Sequence, residues 1–271
     1  MQAVMELRTP PIVEFRNVSK VFFKGDARVH ALSRVSADVK AGELLAIVGP
    51  SGCGKSTLLN LTAGLMEPGI GEVLFDGASL CGVNTRVSYV TQKDNLLPWR
   101  TVEGNVALPL ELGERAAWSD ADKRARVTKY IELVGLKGFE RHYPSELSGG
   151  MRKRAQLARC LVYEPDVLLM DEPFGALDAQ LRLVLQAELL KMWEGSGKTV
   201  VFVTHDLTEA ISLADRVIVM SNRPGTIKAI ETIRLPRPRD VFAIRFEPEF
   251  GHYFETLWAA LREEIVQGEE A

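Results

Sequence analysis

The residues with the most chemistry in them are Gly49-Pro50-Ser51-Gly52-Cys53-Gly54-Lys55-Ser56-Thr57, directly after the apolar run Leu44 to Val48. They fit the phosphate-cradling pattern G-x-x-x-x-G-K-[ST], the P-loop or Walker A pattern. Glycines at 49, 52 and 54 let the backbone turn through φ values that other residues resist, so that successive N–H groups point into one anion-sized hollow. A helix starting near Lys55 adds the positive end of its dipole to that hollow. In such a loop Lys55 reaches the β- and γ-phosphates of a nucleotide, and the Ser56 hydroxyl is a ligand of Mg²⁺. The other reading is a glycine turn that happens to precede a lysine, but chance rarely sets one between a buried strand and a helix.

Further groups are worth reading beside that loop. Val167-Leu168-Leu169-Met170 is a continuous apolar run after Pro165, the mark of a strand buried on both faces, and it ends in Asp171-Glu172. Carboxylates at the end of a buried parallel strand lie where open α/β sheets bind ligands. Alone, an acidic pair there reads as solvated; beside a phosphate loop, Asp171 can hold the Mg²⁺ shell and Glu172 can polarise an attacking water. The buried strand Thr199 to Val203 delivers Thr204-His205-Asp206, where His205 is either a structural histidine or a hydrogen-bond partner of the γ-phosphate. Ser148-Gly149-Gly150-Met151 opens a helix rich in Arg152, Lys153, Arg154 and Arg159. Ser148 is either a plain N-cap or the edge of a second anion site made by open amides. Phe22, in Val21-Phe22-Phe23, either packs in the core or stacks on an adenine ring. Cys53 sits inside the phosphate loop, so a bulky thiol reagent there is expected to block nucleotide binding.

The elements that must position these groups follow from periodicity. Val13 to Val18 alternates as a half-exposed strand, and a second strand is predicted over Arg34 to Val39, turning at Ala41-Gly42 into the strand before the phosphate loop. The loop helix runs to about Ala63; strands follow over Glu72 to Phe75, with a turn at Asp76-Gly77, and over Arg86 to Thr91, ending at Gln92. Lys93 to Thr101 is loop-like, with Thr101 capping a helix over Glu103 to Leu112. Its Leu96-Leu97-Pro98-Trp99 cluster is expected to be partly exposed, as contact surfaces are. Helices are predicted over Ser119 to Leu136, from Ser148 onward, and over Ala179 to Glu194 behind Ala176-Leu177-Asp178. Asp206 and Glu209 form a capping-box pattern for the next helix. Val217 to Met220 and Ile227 to Ile233 read as closing strands around Arg223-Pro224-Gly225, and Phe250, Phe254, Leu257, Trp258, Leu261 and Ile265 mark an amphipathic helix.

The bulk numbers allow this and exclude little. At 271 residues the chain can bury a sizeable core in one large α/β domain or two small ones. An apolar content of 46% and a charged content of 25% are those of ordinary globular proteins, and a net charge of −3 argues against nucleic-acid binding through a basic field. No stretch approaches the ~18 apolar residues of a membrane span, and the N-terminus lacks a secretory layout, so a cytosolic chain is expected, which leaves docking on a membrane protein open. Cys53, Cys81 and Cys160 lack metal-ligand spacing and are expected to be reduced thiols. There is no internal repeat.

The phosphate loop, Gln92, Leu147-Ser148-Gly149-Gly150-Met151, Val167 through Glu172, Ala176-Leu177-Asp178 and His205 occur in one order that resembles the ATP-binding-cassette ATPases of ABC transporters. The likeness covers about residues 12–235 and leaves 236–271 as a short C-terminal helical tail. It implies a P-loop NTPase cassette: a RecA-like α/β core, an antiparallel β subdomain and a helical subdomain at about residues 93–160. It implies ATP and Mg²⁺ as cofactors, and two copies of the chain facing head to tail. Ser148-Gly149-Gly150 of one copy would close over the γ-phosphate held by Lys55 of the other, and Asp178 would steady the opposing site. ATP binding would then drive association and hydrolysis release. Gln92 would join Ser56 at Mg²⁺, and Glu172 would be the base in an in-line water attack. Met151 stands where glutamine is usual, which removes a polar side chain from the dimer contact, and Phe22 replaces a frequent tyrosine.

Asn95-Leu96-Leu97-Pro98-Trp99-Arg100-Thr101-Val102 with Asn105-Val106, and Leu235-Pro236-Arg237-Pro238-Arg239, look like the bacterial importers for nitrate, sulfonates, taurine and related small anions. That likeness implies a peripheral subunit on the cytoplasmic face of the inner membrane, its Leu96 to Trp99 loop meeting the coupling helix of a transmembrane permease. A periplasmic or lipoprotein substrate-binding protein would be an indirect partner and nucleic acid none. The residues after Ile233 are too few for the regulatory barrel of sugar-import cassettes. A cassette ATPase of DNA repair or translation is the alternative, though those usually carry coiled-coil insertions or a duplicated cassette. A P-loop kinase would place an acceptor site and lid where the Ser-Gly-Gly helix stands.

Overall fold

The computed structural model describes residues 10–25, 27–175 and 177–269. A long antiparallel hairpin of β1 (Pro11–Lys24) and β2 (Ala27–Lys40) leads into β3 (Leu44–Val48), the phosphate loop and α1 (Lys55–Thr62). β4 (Ile70–Phe75), β5 (Ala78–Ser79) and β6 (Val87–Val90) follow, then the helices α2 (Val102–Ala107), α3 (Asp120–Leu133) and α4 (Gly149–Leu161). The second half alternates: β7 (Val167–Asp171), α5 (Ala179–Trp193), β8 (Thr199–Thr204), α6 (Leu207–Leu213), β9 (Arg216–Met220), β10 (Ile227–Thr232) and a terminal α7 (Pro248–Glu269).

Every residue of β3, β8 and β9 is buried, as continuous apolar runs require when helices cover both faces of a parallel sheet. These strands lie in the order β10-β9-β3-β8-β7-β6, all parallel except β10, which pairs antiparallel with β9 at the edge. The C-terminal ends of β3, β8 and β7 therefore open on one side of the sheet, although β7 and β8 lie more than a hundred residues beyond β3. A second, antiparallel sheet of order β2-β1-β4-β5 packs with α1 over one face, joining Val13, Phe15 and Val73 to Leu45, Ile47 and Leu58 in one apolar cluster. α5, α6 and α7 cover the other face, and α2, α3 and α4 close a third cluster around Val106, Leu110 and Ile131. Arg216 at the start of β9 ties the two sheets, reaching Glu43 at 3.2 Å and Asp38 of β2 at 3.1 Å.

Several elements differ from the sequence expectation. β1 and β2 are much longer than their alternating stretches, because positive φ at Asn17 and Arg34 and shifts in pairing register break the period of two without ending the ladder. Phe22 and Phe23 consequently sit on β1, opposite Val29 and Arg28, close to its end at Lys24. The helix predicted to Leu112 leaves α geometry after Ala107 for a tighter turn at Leu108–Glu111, because Pro109 has no N–H to continue the ladder. The short strand β5 is new. On α7, Phe250, Leu257 and Leu261 pack in cis as expected, whereas Phe254 and Trp258 stay exposed; the Ile265 side chain lies outside the described residues.

Candidate functional site

Three strand ends meet in a cleft of about 490 Å³, lined among others by Phe22, Ser51, Gly52, Gly54, Lys55, Ser56, Thr57, Gln92, Asp171 and Glu172. Its floor is the phosphate loop. Gly54 caps α1 at φ 105°, a left-handed conformation that a side chain resists, and a Cβ there would stand 2.9 Å from the Ala31 carbonyl oxygen. The amides of residues 54–57 donate to no acceptor among the described residues, which leaves an open ring of donors at a helix N-terminus. The Lys55 ammonium is folded onto the loop, donating to the Gly49 and Pro50 carbonyls at 2.8 Å each.

The wall opposite the loop is acidic. Ser56 donates to Asp171 Oδ1 at 3.1 Å, and the Tyr89 hydroxyl donates to Asp171 Oδ2 at 3.4 Å. Burial, and then the Asp171 charge, push the Tyr89 hydroxyl well above its usual range, so it remains a donor. Gln92 donates to Glu172 Oε2 at 3.1 Å, and His205 Nδ1 lies 3.4 Å from Glu172 Oε1. Glu172 holds φ 45°, a left-handed conformation costly for a non-glycine residue, with its N–H bonded to Val203 O at 3.0 Å. A serine hydroxyl, a carboxylate and a glutamine amide form a hard-oxygen set suited to Mg²⁺, which takes few protein ligands and fills its octahedron with phosphate and water.

Phe22 is 38% exposed and lines the cleft, so it is not a core residue, and the Lys20 ammonium lies 5.8 Å from its ring centroid. Cys53 is the reverse. Its side chain is fully buried, and its N–H donates to Pro50 O at 3.3 Å. The thiol therefore offers no handle in the cleft, which bears against the expectation that a bulky thiol reagent at Cys53 blocks nucleotide binding. Gly49 and Pro50 form the start of the loop without lining the cleft.

Ser148, Gly149, Gly150 and Asp178 are brought together elsewhere. Ser148 caps α4, accepting the Met151 N–H at 3.3 Å, and Asp178 caps α5, accepting the Leu181 N–H at 3.0 Å. A Cβ on Gly150 would stand 2.3 Å from Leu181 Cδ2, so the two helix starts touch. Neither lines the cleft. Met151 packs into the third apolar cluster, and Ala176 lies outside the described residues. The capping box at α6 is half formed: Asp206 accepts the Thr208 and Glu209 amides, but the Glu209 carboxylate takes the Thr204 hydroxyl at 2.6 Å.

Sequence reasoning missed the residues that hold the Gln92 loop. Lys153 donates to the Thr91 and Gln92 carbonyls, Gln156 to Thr91 and Lys93, and Arg159 to Asp94 and Asn95. These residues of α4 are thus a clamp on carbonyls, and their signal was the helical spacing of positions 153, 156 and 159. Also missed was Arg223, whose guanidinium lines the cleft and bonds the Gly52 carbonyl.

An open amide ring at the end of a buried parallel strand, faced by Asp171 and Glu172, defines the class as a P-loop NTPase cassette. The ABC transporter family model matches residues 32–175, just over half of the chain. An uncharacterized ABC transporter ATP-binding protein of Methanocaldococcus jannaschii is 45% identical over 258 residues, covering 94% of this chain and 93% of its own length. The aliphatic sulfonates import ATP-binding protein SsuB of Bacillus cereus is 42% identical over 227 residues, covering 84% of this chain and 88% of its own. Among solved structures, a dimeric ATP-binding cassette in a post-hydrolysis state bound to ADP and Pi superposes with a TM-score of 0.73 at 35% identity, over 83% of this chain and all of the other. The chain belongs to the ABC transporter family, and it is an ATP-binding cassette with ATPase activity.

Proposed function

We propose that the chain is the ATP-hydrolysing subunit of an ABC importer for a small anion of the sulfonate, taurine or nitrate kind. The observation that carries the ATPase half is the juxtaposition of Gln92, Glu172 and His205, linked by contacts of 3.1 and 3.4 Å, across the cleft from the free amides of the phosphate loop. The import half is supported by the sulfonate-import relatives at 41–42% identity, and by the buried Leu96 and 71%-exposed Trp99 that make the Gln92 loop a surface anchored from below. No helix among the described residues is long and apolar enough to cross a membrane, which agrees with a peripheral subunit on the cytoplasmic face working with separate permease subunits.

In this reading Phe22 stacks on the adenine, and the open amides of residues 54–57 hold the phosphates. Lys55 swings from its two loop carbonyls to the β- and γ-phosphates, a short movement for a flexible stem. Ser56, Asp171 and Gln92 hold Mg²⁺, which when bound neutralises charge on the transferring phosphoryl group. Glu172 accepts a proton from the attacking water, and His205 orients that carboxylate and meets the γ-phosphate. The proposed mechanism needs a second copy. Ser148, Gly149, Gly150 and Asp178 lie off the cleft, and in a head-to-tail dimer resembling the solved cassette dimer they complete the partner's site.

Glu172→Gln should bind ATP, lose turnover by a factor of about 100 or more, and run as an ATP-dependent dimer on a sizing column. Lys55→Ala should bind little ATP and stay monomeric. Ordinary turnover by the glutamine variant would remove Glu172 from its assigned role.

A further inference from the structure

Among the described residues, Arg223 is the one cation lining the cleft that the proposed reaction does not use. It lies in the turn between β9 and β10, and its Nε and Nη2 donate to the Gly52 carbonyl at 3.2 and 3.0 Å. The same turn abuts the phosphate loop through its backbone. Gly225 N–H donates to Ala31 O at 2.9 Å, Ser33 N–H donates to Gly225 O at 3.0 Å, and a Cβ on Gly225 would stand 2.0 Å from the Cys53 carbonyl oxygen. Behind the turn stands the C-terminal helix. Glu264 of α7 accepts the Asn222 N–H at 2.8 Å and the Lys228 ammonium at 2.8 Å, while the Asn222 side chain accepts the Arg223 N–H at 2.8 Å. Lys228, and then the Asn222 amide, hold the Glu264 carboxyl below its usual range, so it stays an acceptor at neutral pH.

The physical need for such a brace is plain. The glycines that let a phosphate loop turn also give it many unproductive conformations, and binding must order whatever was loose beforehand. Gly52 sits at φ 77° near the crown of the loop, and bonding its carbonyl from outside fixes the orientation of the peptide that joins it to Cys53. We infer that Arg223 is a strap that preorganises the phosphate loop for nucleotide, and that the C-terminal helix sets this strap through Glu264 and Asn222. The inference rests on the nucleotide-site reading above and adds to it a connection between the tail and the site. Arg223 is a positioning residue here, acting through the Gly52 carbonyl.

The test is a double-mutant cycle read by equilibrium binding of Mg-ATP to the full chain, with kcat at saturating ATP measured alongside. Arg223→Ala should weaken ATP binding about tenfold, the scale of a charge-assisted bond. Glu264→Ala should weaken it by a factor of roughly three to five, and the double variant should be no weaker than Arg223→Ala alone, since both break one chain of contacts. kcat should change less than about twofold, because the strap acts on binding and not on the transition state. Arg223→Lys should recover part of the affinity. Glu263→Ala is the control, since it removes a second partner of Lys228 that does not reach Asn222. An unchanged Kd in Glu264→Ala, or additive losses in the double variant, would overturn the inference; the first would leave Arg223 a nucleotide contact independent of the tail. Thermal melts establish that each variant folds, and if Arg223→Ala does not, Arg223→Lys takes its place in the cycle. Lys55→Ala separates the two levels. If it binds ATP like the parent, the site reading itself fails; if it does not while Glu264→Ala is silent, only the strap fails.

Discussion

Cys53 lies in the phosphate loop, yet its side chain is fully buried beside the Lys55 ammonium, and burial raises its thiol above the usual range. Burial does the same to Cys160. The thiolate is the nucleophile, so a raised thiol keeps its proton near neutral pH and becomes reactive only as pH climbs past the raised value or the protein opens. Cys81 alone is exposed. An aromatic disulfide reagent near neutral pH should therefore find one fast thiol, Cys81, with ATP binding intact. Two slow thiols should appear on denaturation or, more gradually, at strongly alkaline pH. A second fast thiol that maps to Cys53 would contradict the burial. Glu172 makes a related point at the same scale. Its left-handed backbone carries a cost of about 1 kcal/mol or more, sustained by the Val203 carbonyl behind it and by Gln92 and His205 on its carboxylate.

The loop after β6 has little regular structure and many polar contacts. Asn105 on α2 is fully buried and works as its peg. Its Oδ1 accepts the Leu97 N–H at 2.7 Å, and its Nδ2 donates to the carbonyls of Leu97, Arg100 and Thr101 at 3.1, 2.9 and 3.0 Å. Removing that amide leaves buried backbone groups without partners, so Asn105→Ala should cost about 2–3 kcal/mol in chemical denaturation. It should also open residues 96–101 to proteolysis in the folded state. A loss below about 0.5 kcal/mol would mean that the loop is held by the α4 clamp alone. Asn105 was legible as part of a resemblance, and its role was not, because an amide that satisfies carbonyls four to eight residues away leaves no periodic trace.

At the scale of the whole molecule, the sidedness of the site matters most. Phosphate loop, acidic strand end and His205 share one edge of the parallel sheet, while Ser148 and Asp178 cap helices elsewhere, so in the proposed dimer a single copy would contribute two half-sites. In the proposed role, the exposed Trp99 and the clamped Gln92 loop would be the path by which a membrane partner feels the nucleotide. If the proposed import role is right, cells lacking this chain should lose uptake of one among labelled taurine, an alkanesulfonate or nitrate. Expression of the parent should restore it, and Glu172→Gln should not. Undiminished uptake of all three would remove the small-anion reading while leaving the ATPase untouched.

The sequence by itself determined the cassette class, the phosphate loop and the catalytic candidates, because those depend on residue type at fixed local spacing. A glycine loop between an apolar run and a helix, or a carboxylate pair ending a buried strand, is a local statement. Only the tertiary structure decided what depends on distant pairing: the strand order that sets β3 beside β8, and the bulged ladder that carries Phe22 to the cleft rim. It also decided the burial of Cys53, the clamp from α4, and the contact of Arg223 with Gly52 across 171 residues of chain. Packing fixes these through shape and hydrogen-bond satisfaction, and neither quantity is periodic in the chain.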